Sequence, residues 1–268
     1  MSAIEILREA LFAMLTNWQR ALRIFLLPLG LFVGIFIGAV TFATQSVTIH
    51  GQTVQLPSPL LFVLFPLFLF LIFLIFWPVV AWHRLLILGE QPARFAPPLR
   101  FKAVLRYVLN IIGLGILISL LMLPIMAIIG PMMISELDPE AIAGGEMLPL
   151  DFFFWPTVAL LPVQYLALRL CLILPGAAIE NHVGLSGSWN YTSNKGASLP
   201  IIVLLAAAVS MTLQIILSAI TPSLFEASGG ILTVFQLTQF IGQLLGSLFV
   251  ISVMSTMFNA FVQDKVKD

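Results

Sequence analysis

Of the 268 residues, 60% are hydrophobic and 9% are charged, and the mean hydropathy is +1.09. A soluble domain carries about 25% charged residues, and one with so few would expose apolar surface and aggregate, so a soluble globular fold is excluded. Lys plus Arg and Asp plus Glu balance at 12 each, which gives no reason to expect nucleic acid as a partner. The single cysteine, Cys171, excludes an internal disulfide and a thiolate metal cluster.

Residues 2–20 predict an amphipathic helix that lies in the headgroup plane. Ser2 and Glu5 have capping-box spacing, and Ile4, Leu7, Leu11, Met14, Leu15 and Trp18 share one face. A first span follows at about 24–44. Gly30, Gly34 and Gly38 form a doubled G-x-x-x-G ladder on it, a pattern that lets a second helix backbone approach closely. Residues 45–59 read as a small hairpin, SVTI and QTVQ flanking His50-Gly51.

The second span, about 60–80, ends in Trp82-His83-Arg84, with Trp77 and Trp82 in an aromatic belt and Arg84 at headgroup level. The stretch 84–106 holds five basic residues and one acid, Glu90. Its prolines at 92, 97 and 98 break helix, and 99–107 could form a short surface helix. A third span at 107–130 is expected to kink near Pro124. The loop 131–151 has acids and no base, without the ligand spacing of a calcium loop.

The fourth span, about 152–172, reaches Arg169 roughly 26 Å from its start, near the opposite headgroup boundary. There Arg169 is expected to meet lipid phosphate, to pair with Glu180, or to hold a specific lipid headgroup. SGSWNYTSNKG, 186–196, predicts a short interfacial helix with Trp189 at headgroup level. Thr192 and Asn194 offer polar groups to water or phosphate. The fifth span covers 199–220 and the sixth 231–258. On the sixth, Gln236, Gln239 and Gln243 share one face with Ser247. Ser252, Ser255, Thr256 and Asn259 lie on the opposite face. Amides in hydrocarbon need partners, so these faces are expected to point into the bundle or a wet cavity.

All twelve basic residues fall on the side holding both termini. The other side carries six acids: Glu136, Asp138, Glu140, Glu146, Asp151 and Glu226. This bias predicts six spans with both ends in the cytoplasm. The echo of HRLLILGE at 83–90 in LRLCLILPG at 168–176 suggests a threefold repeat, 2–83, 84–168 and 169–262. No H-E-x-x-H, G-x-S-x-G or phosphate-binding glycine loop occurs. No catalytic residue, metal site or cofactor is therefore expected, and His83 and His182 read as ordinary interfacial residues.

The segment 165–196, with R-x-x-L-x-L-P and then S-x-S-W-x-x-T-x-x-N-x-G, resembles bacterial inner-membrane proteins of the YciC-like kind. It also resembles the membrane domain attached to glycerophosphodiester phosphodiesterases. The resemblance implies a location and a fold without transferring a chemistry, since this chain has no phosphodiesterase domain.

The expectation is a single-domain, all-α polytopic membrane protein with six transmembrane helices and amphipathic helices on the cytoplasmic side. Its expected role is non-enzymatic, organising lipid or a membrane complex. Its expected partners are anionic lipid headgroups, with a membrane protein or a second copy as further candidates. The competing readings are a permease subunit with a polar path along the sixth helix, and a lipid-modifying enzyme.

Overall fold

In hydrocarbon every backbone N–H and C=O must be bonded within the chain, and an apolar run meets that demand by becoming a helix. The computed structural model describes residues 1–49, 52–57, 61–92, 96–135, 150–193, 198–225 and 229–263, and helices dominate them. Helix α1 (Ala3–Thr16) opens with a reciprocal cap. The Ser2 N–H donates to Glu5 Oε2 at 2.7 Å, and the Glu5 N–H donates to Ser2 Oγ at 3.3 Å. The Ser2 backbone N–H also holds the Glu5 carboxyl below its ordinary range. Ala3, Ile6 and Ala10 are buried, whereas Ile4, Leu11, Leu15 and Trp18 of the apolar stripe are exposed. The helix therefore turns Ala3, Ile6 and Ala10 toward protein and leaves a face of large apolar residues for lipid.

Helix α2 (Trp18–Ala43) leads into the predicted hairpin, β1 (Thr44–Ile49) and β2 (Gln52–Pro57). The antiparallel register pairs Ile49 with Gln52, so a two-residue connection joins the strands, as the sequence suggests; His50 and Gly51 themselves lie outside the described residues. Helix α3 (Leu61–Leu88) stops at Gly89. Gly89 adopts φ 69°, and its N–H bonds the Leu85 carbonyl at 3.1 Å, a left-handed stop that glycine adopts without strain. Helix α4 (Phe101–Ser135) merges the expected surface helix and third span into one element. No Gly or Pro interrupts 101–112, so nothing breaks the helix between them.

Helices α5 (Leu150–Leu170), α6 (Ile173–Ala178), α7 (Leu185–Ser193), α8 (Ser198–Phe225) and α9 (Gly229–Phe258) complete the series, and a π-helical turn (Asn259–Gln263) follows. Among the described residues five helices are long and apolar enough to cross a membrane. The number is six when the bent pair of α7 and the first part of α8 is included. The fold is all-α and polytopic. The acidic loop residues 136–149, Glu226, and Asn194, Lys195 and Gly196 after α7 lie outside the described residues.

The chain divides into two compact units. One holds Phe12–Ile111 with Leu174–His182. In it α2 packs on α3, the Phe25 ring meeting Trp82 edge-on at 6.4 Å. The fully buried His83 sits 3.3 Å from the Tyr107 hydroxyl. His83 is thus a core side chain, and the interfacial role expected for it is corrected. The other unit holds Met1–Leu11, Ile112–Ile173 and Val183–Asp268. In it α5 packs on α7 and α8, α9 on α8, and the π-helical turn on α7.

Candidate functional site

Two arginines that end apolar runs, Arg84 and Arg169, each gather the segment that follows them. Arg169 stands in the last turn of α5, where the free carbonyls of a helix C-terminus favour a cation. It is 9% exposed. Its guanidinium carbon lies 3.6 Å from the centre of the Trp189 ring and 5.9 Å from that of Tyr165. Nη2 donates to the Trp189 carbonyl at 3.1 Å, and Nε donates to Thr192 Oγ1 at 3.3 Å. The Arg169 carbonyl in turn accepts from Ser188 Oγ at 2.7 Å.

Ser188 and Thr192 are both buried and are four residues apart, so they share the face of α7 turned toward α5. Cation, ring and hydroxyls together latch α7 onto the end of α5. A planar fork that stacks and donates in its own plane suits this geometry better than an ammonium does.

This arrangement joins three residues singled out from sequence, Arg169, Trp189 and Thr192, and corrects what they do. The donors expected to face lipid phosphate or Glu180 are directed at α7. No carboxylate lies within ion-pairing distance of Arg169 among the described residues. Trp189 remains 41% exposed on its outer side. Ser188 was not among the residues singled out; its four-residue spacing from Thr192 is the signal that could have found it.

Arg84 builds a second constellation in the other unit. Its Nε donates to Glu90 Oε2, and its Nη1 donates to the Ala178 carbonyl at 3.0 Å. Arg100 donates to Glu90 Oε1 through Nη2 at 3.0 Å and Nε at 3.4 Å. One carboxylate therefore clasps two guanidinium groups and ties Glu90 and Arg100 back to the end of α3. Partial burial alone would raise the Glu90 pKa, but the Arg84 and Arg100 hydrogen bonds outweigh it and hold the carboxyl below its ordinary value. The signal in the sequence was Glu90 as the one acid among five bases.

The remaining candidates do not join either cluster. Among the described residues a Cβ placed on Gly30, Gly34 or Gly38 would meet nothing within 4 Å, so the glycine ladder is not packed against any described helix. Gln243 is exposed, and the side chains of Gln236 and Gln239 lie outside the described residues. The interior takes the other polar face of α9: Ser252, Ser255 and Thr256 are buried. Each donates to the carbonyl four residues back, at 2.8, 3.0 and 3.0 Å. Of the two placements expected for the glutamine face, Gln243 does not take the one inside the bundle. A hydroxyl can satisfy itself on its own helix in a packed interior, and a primary amide with four hydrogen-bonding sites cannot do so as readily. No three His, Cys, Asp or Glu side chains are placed to hold a metal among the described residues.

These elements define an integral membrane protein of several apolar helices, with arginine-centred contacts binding short segments to the ends of its spans. No protein-family model matches the chain, and neither does any curated protein or solved structure.

Proposed function

We propose that this is a non-catalytic, multi-pass protein of the bacterial inner membrane, with both termini in the cytoplasm. It organises anionic lipid, or a complex assembled on that lipid, through a basic interface. The likeness to YciC-like proteins belongs to the same proposal. The observation that carries the reading is the placement of exposed cations where apolar spans begin. Arg20 and Arg23 stand in the first turns of α2 and Lys102 at the start of α4; all three are exposed, with no acid in either helix. A cation near the surface of an anionic leaflet contributes about 1 kcal/mol, and the attraction weakens with salt over the Debye length.

The test is native mass spectrometry of the full chain in mild detergent with phosphatidylglycerol and phosphatidylcholine offered together. Wild type retains phosphatidylglycerol preferentially, and raising the salt reduces the preference. Arg20→Gln, Arg23→Gln and Lys102→Gln combined reduce it at least tenfold, roughly what 1.4 kcal/mol of the three contributions would give. Equal retention of the two lipids by wild type refutes the proposal.

A further inference from the structure

The clasp around Glu90 carries more positive charge than it cancels, because two guanidinium groups share a single carboxylate. A guanidinium has five N–H donors. Arg84 uses Nε and Nη1, and Arg100 uses Nε and Nη2. Nη2 of Arg84 and Nη1 of Arg100 therefore make no hydrogen bond to any described residue. Both arginines and Glu90 line a small cleft whose remaining walls are apolar: Ile24, Val80 and Ala81 from α2 and α3, and Pro92, Pro97 and Pro98 from the segment beyond them. Its volume is about 10 Å³, the space of one water-sized group.

Three features converge here. The site has a net charge of +1, donors remain on two planar forks, and the space admits a single oxygen against a greasy wall. A free anion would gain the charge but leave the wall unused. A phosphodiester carrying an acylglycerol uses both, with one phosphate oxygen in the cleft and the glycerol and chains over its exposed rim at Pro98 and Leu99.

We propose that the Arg84–Glu90–Arg100 cleft is a specific seat for the phosphate group of an anionic membrane lipid. It deepens the lipid-organising reading above and rests on it. Glu90 sets the strength of the seat: it orders both forks and at the same time competes with the phosphate for them. Inorganic phosphate shares the ligand chemistry, and the test separates the two sources.

The experiment uses the full chain in mild detergent, titrated with phosphatidylglycerol and read by native mass spectrometry, with a parallel melting series in sodium phosphate. Arg100 is the variant position of choice because its side chain is half exposed (49%). Arg100→Gln is expected to weaken phosphatidylglycerol binding roughly tenfold, the loss of about one charge-assisted hydrogen bond. Arg100→Lys restores most of that binding. Glu90→Gln, which takes the clasp from +1 to +2, strengthens it severalfold even where it lowers the melting temperature. A purely structural clasp has the opposite sign for that variant, losing fold stability and lipid together.

If both Arg100→Gln and Glu90→Gln leave binding within twofold of wild type, the cleft is not the seat, although a wild-type preference for phosphatidylglycerol would still uphold the broader reading. Weaker lipid binding in Glu90→Gln also overturns the proposal. If sodium phosphate raises the melting temperature and displaces the lipid, the site takes free phosphate and the lipid assignment falls. No preference in wild type defeats the cleft and the broader reading alike.

Discussion

Replacing Thr192 by valine tests the latch between α5 and α7 with little change in shape. The swap exchanges one hydroxyl for a methyl and leaves the Arg169 Nε–H buried without its 3.3 Å acceptor. A hydrogen bond to a charged group contributes about 1.5–3 kcal/mol. The length of this one places it at the lower end, so α7 should open roughly tenfold more often. Cys171, the only cysteine in the chain, lies two residues beyond Arg169 and is buried, so a maleimide reaches it only when the end of α5 opens. When reclosing outpaces labelling, the rate follows the open population. Labelling of Thr192→Val is expected to run about tenfold faster than wild type. Ser188→Ala, which leaves the Arg169 carbonyl without its 2.7 Å donor, should run about fivefold faster. Ser193→Ala is the control, because Ser193 is exposed and bonds only within α7, to the Asn190 carbonyl. Rates within twofold of wild type in both latch variants would refute the reasoning.

The Glu90 clasp gives a pH dependence of definite sign. Its carboxyl titrates below the ordinary value of 4.5. Its contribution is therefore fully present above that value and is lost as pH falls through the lowered one. Melting curves in detergent should show an acid-side step that Glu90→Gln lacks. Glu180 occupies the left-handed region at φ 62° without being glycine, so Glu180→Gly should raise stability by up to about 1 kcal/mol, read as a higher melting temperature. Gly34→Ala meets no neighbour and should stabilise α2 by about 0.5–1 kcal/mol. A dimer band that disappears with it would place the glycine ladder between copies.

Much of the architecture was legible because length and apolarity alone mark a helix that must satisfy its backbone in lipid. The hairpin around 50–51 was legible because Val and Thr alternate with polar residues on either side of a glycine. What the sequence did not disclose is which face of each helix turns inward. Lipid is as apolar as leucine, so hydrophobicity carries no preference for the protein interior. This is why Ala3, Ile6 and Ala10 of α1 are buried while Ile4 and Leu11 are exposed. It is also why Ser252 and Ser255 are buried and Gln243 is not. The residues of the latch could be picked out singly, since a lone arginine, a tryptophan and a threonine stand out in such a composition. Their mutual contact could not, because the turn at 179–184 decides whether Arg169 faces α7 or the bilayer.

Helix α4 has a consequence for how the protein meets its surroundings. Beyond Tyr107 no residue of α4 up to Pro131 is buried, and those 24 residues extend for roughly 36 Å against a hydrocarbon layer of about 30 Å. An apolar run longer than that layer tilts, kinks or locally thickens the bilayer, and does so more in a thinner membrane. Membrane thickness is therefore taken up along this stretch, where no buried side chain has to be unpacked for the helix to tilt or kink.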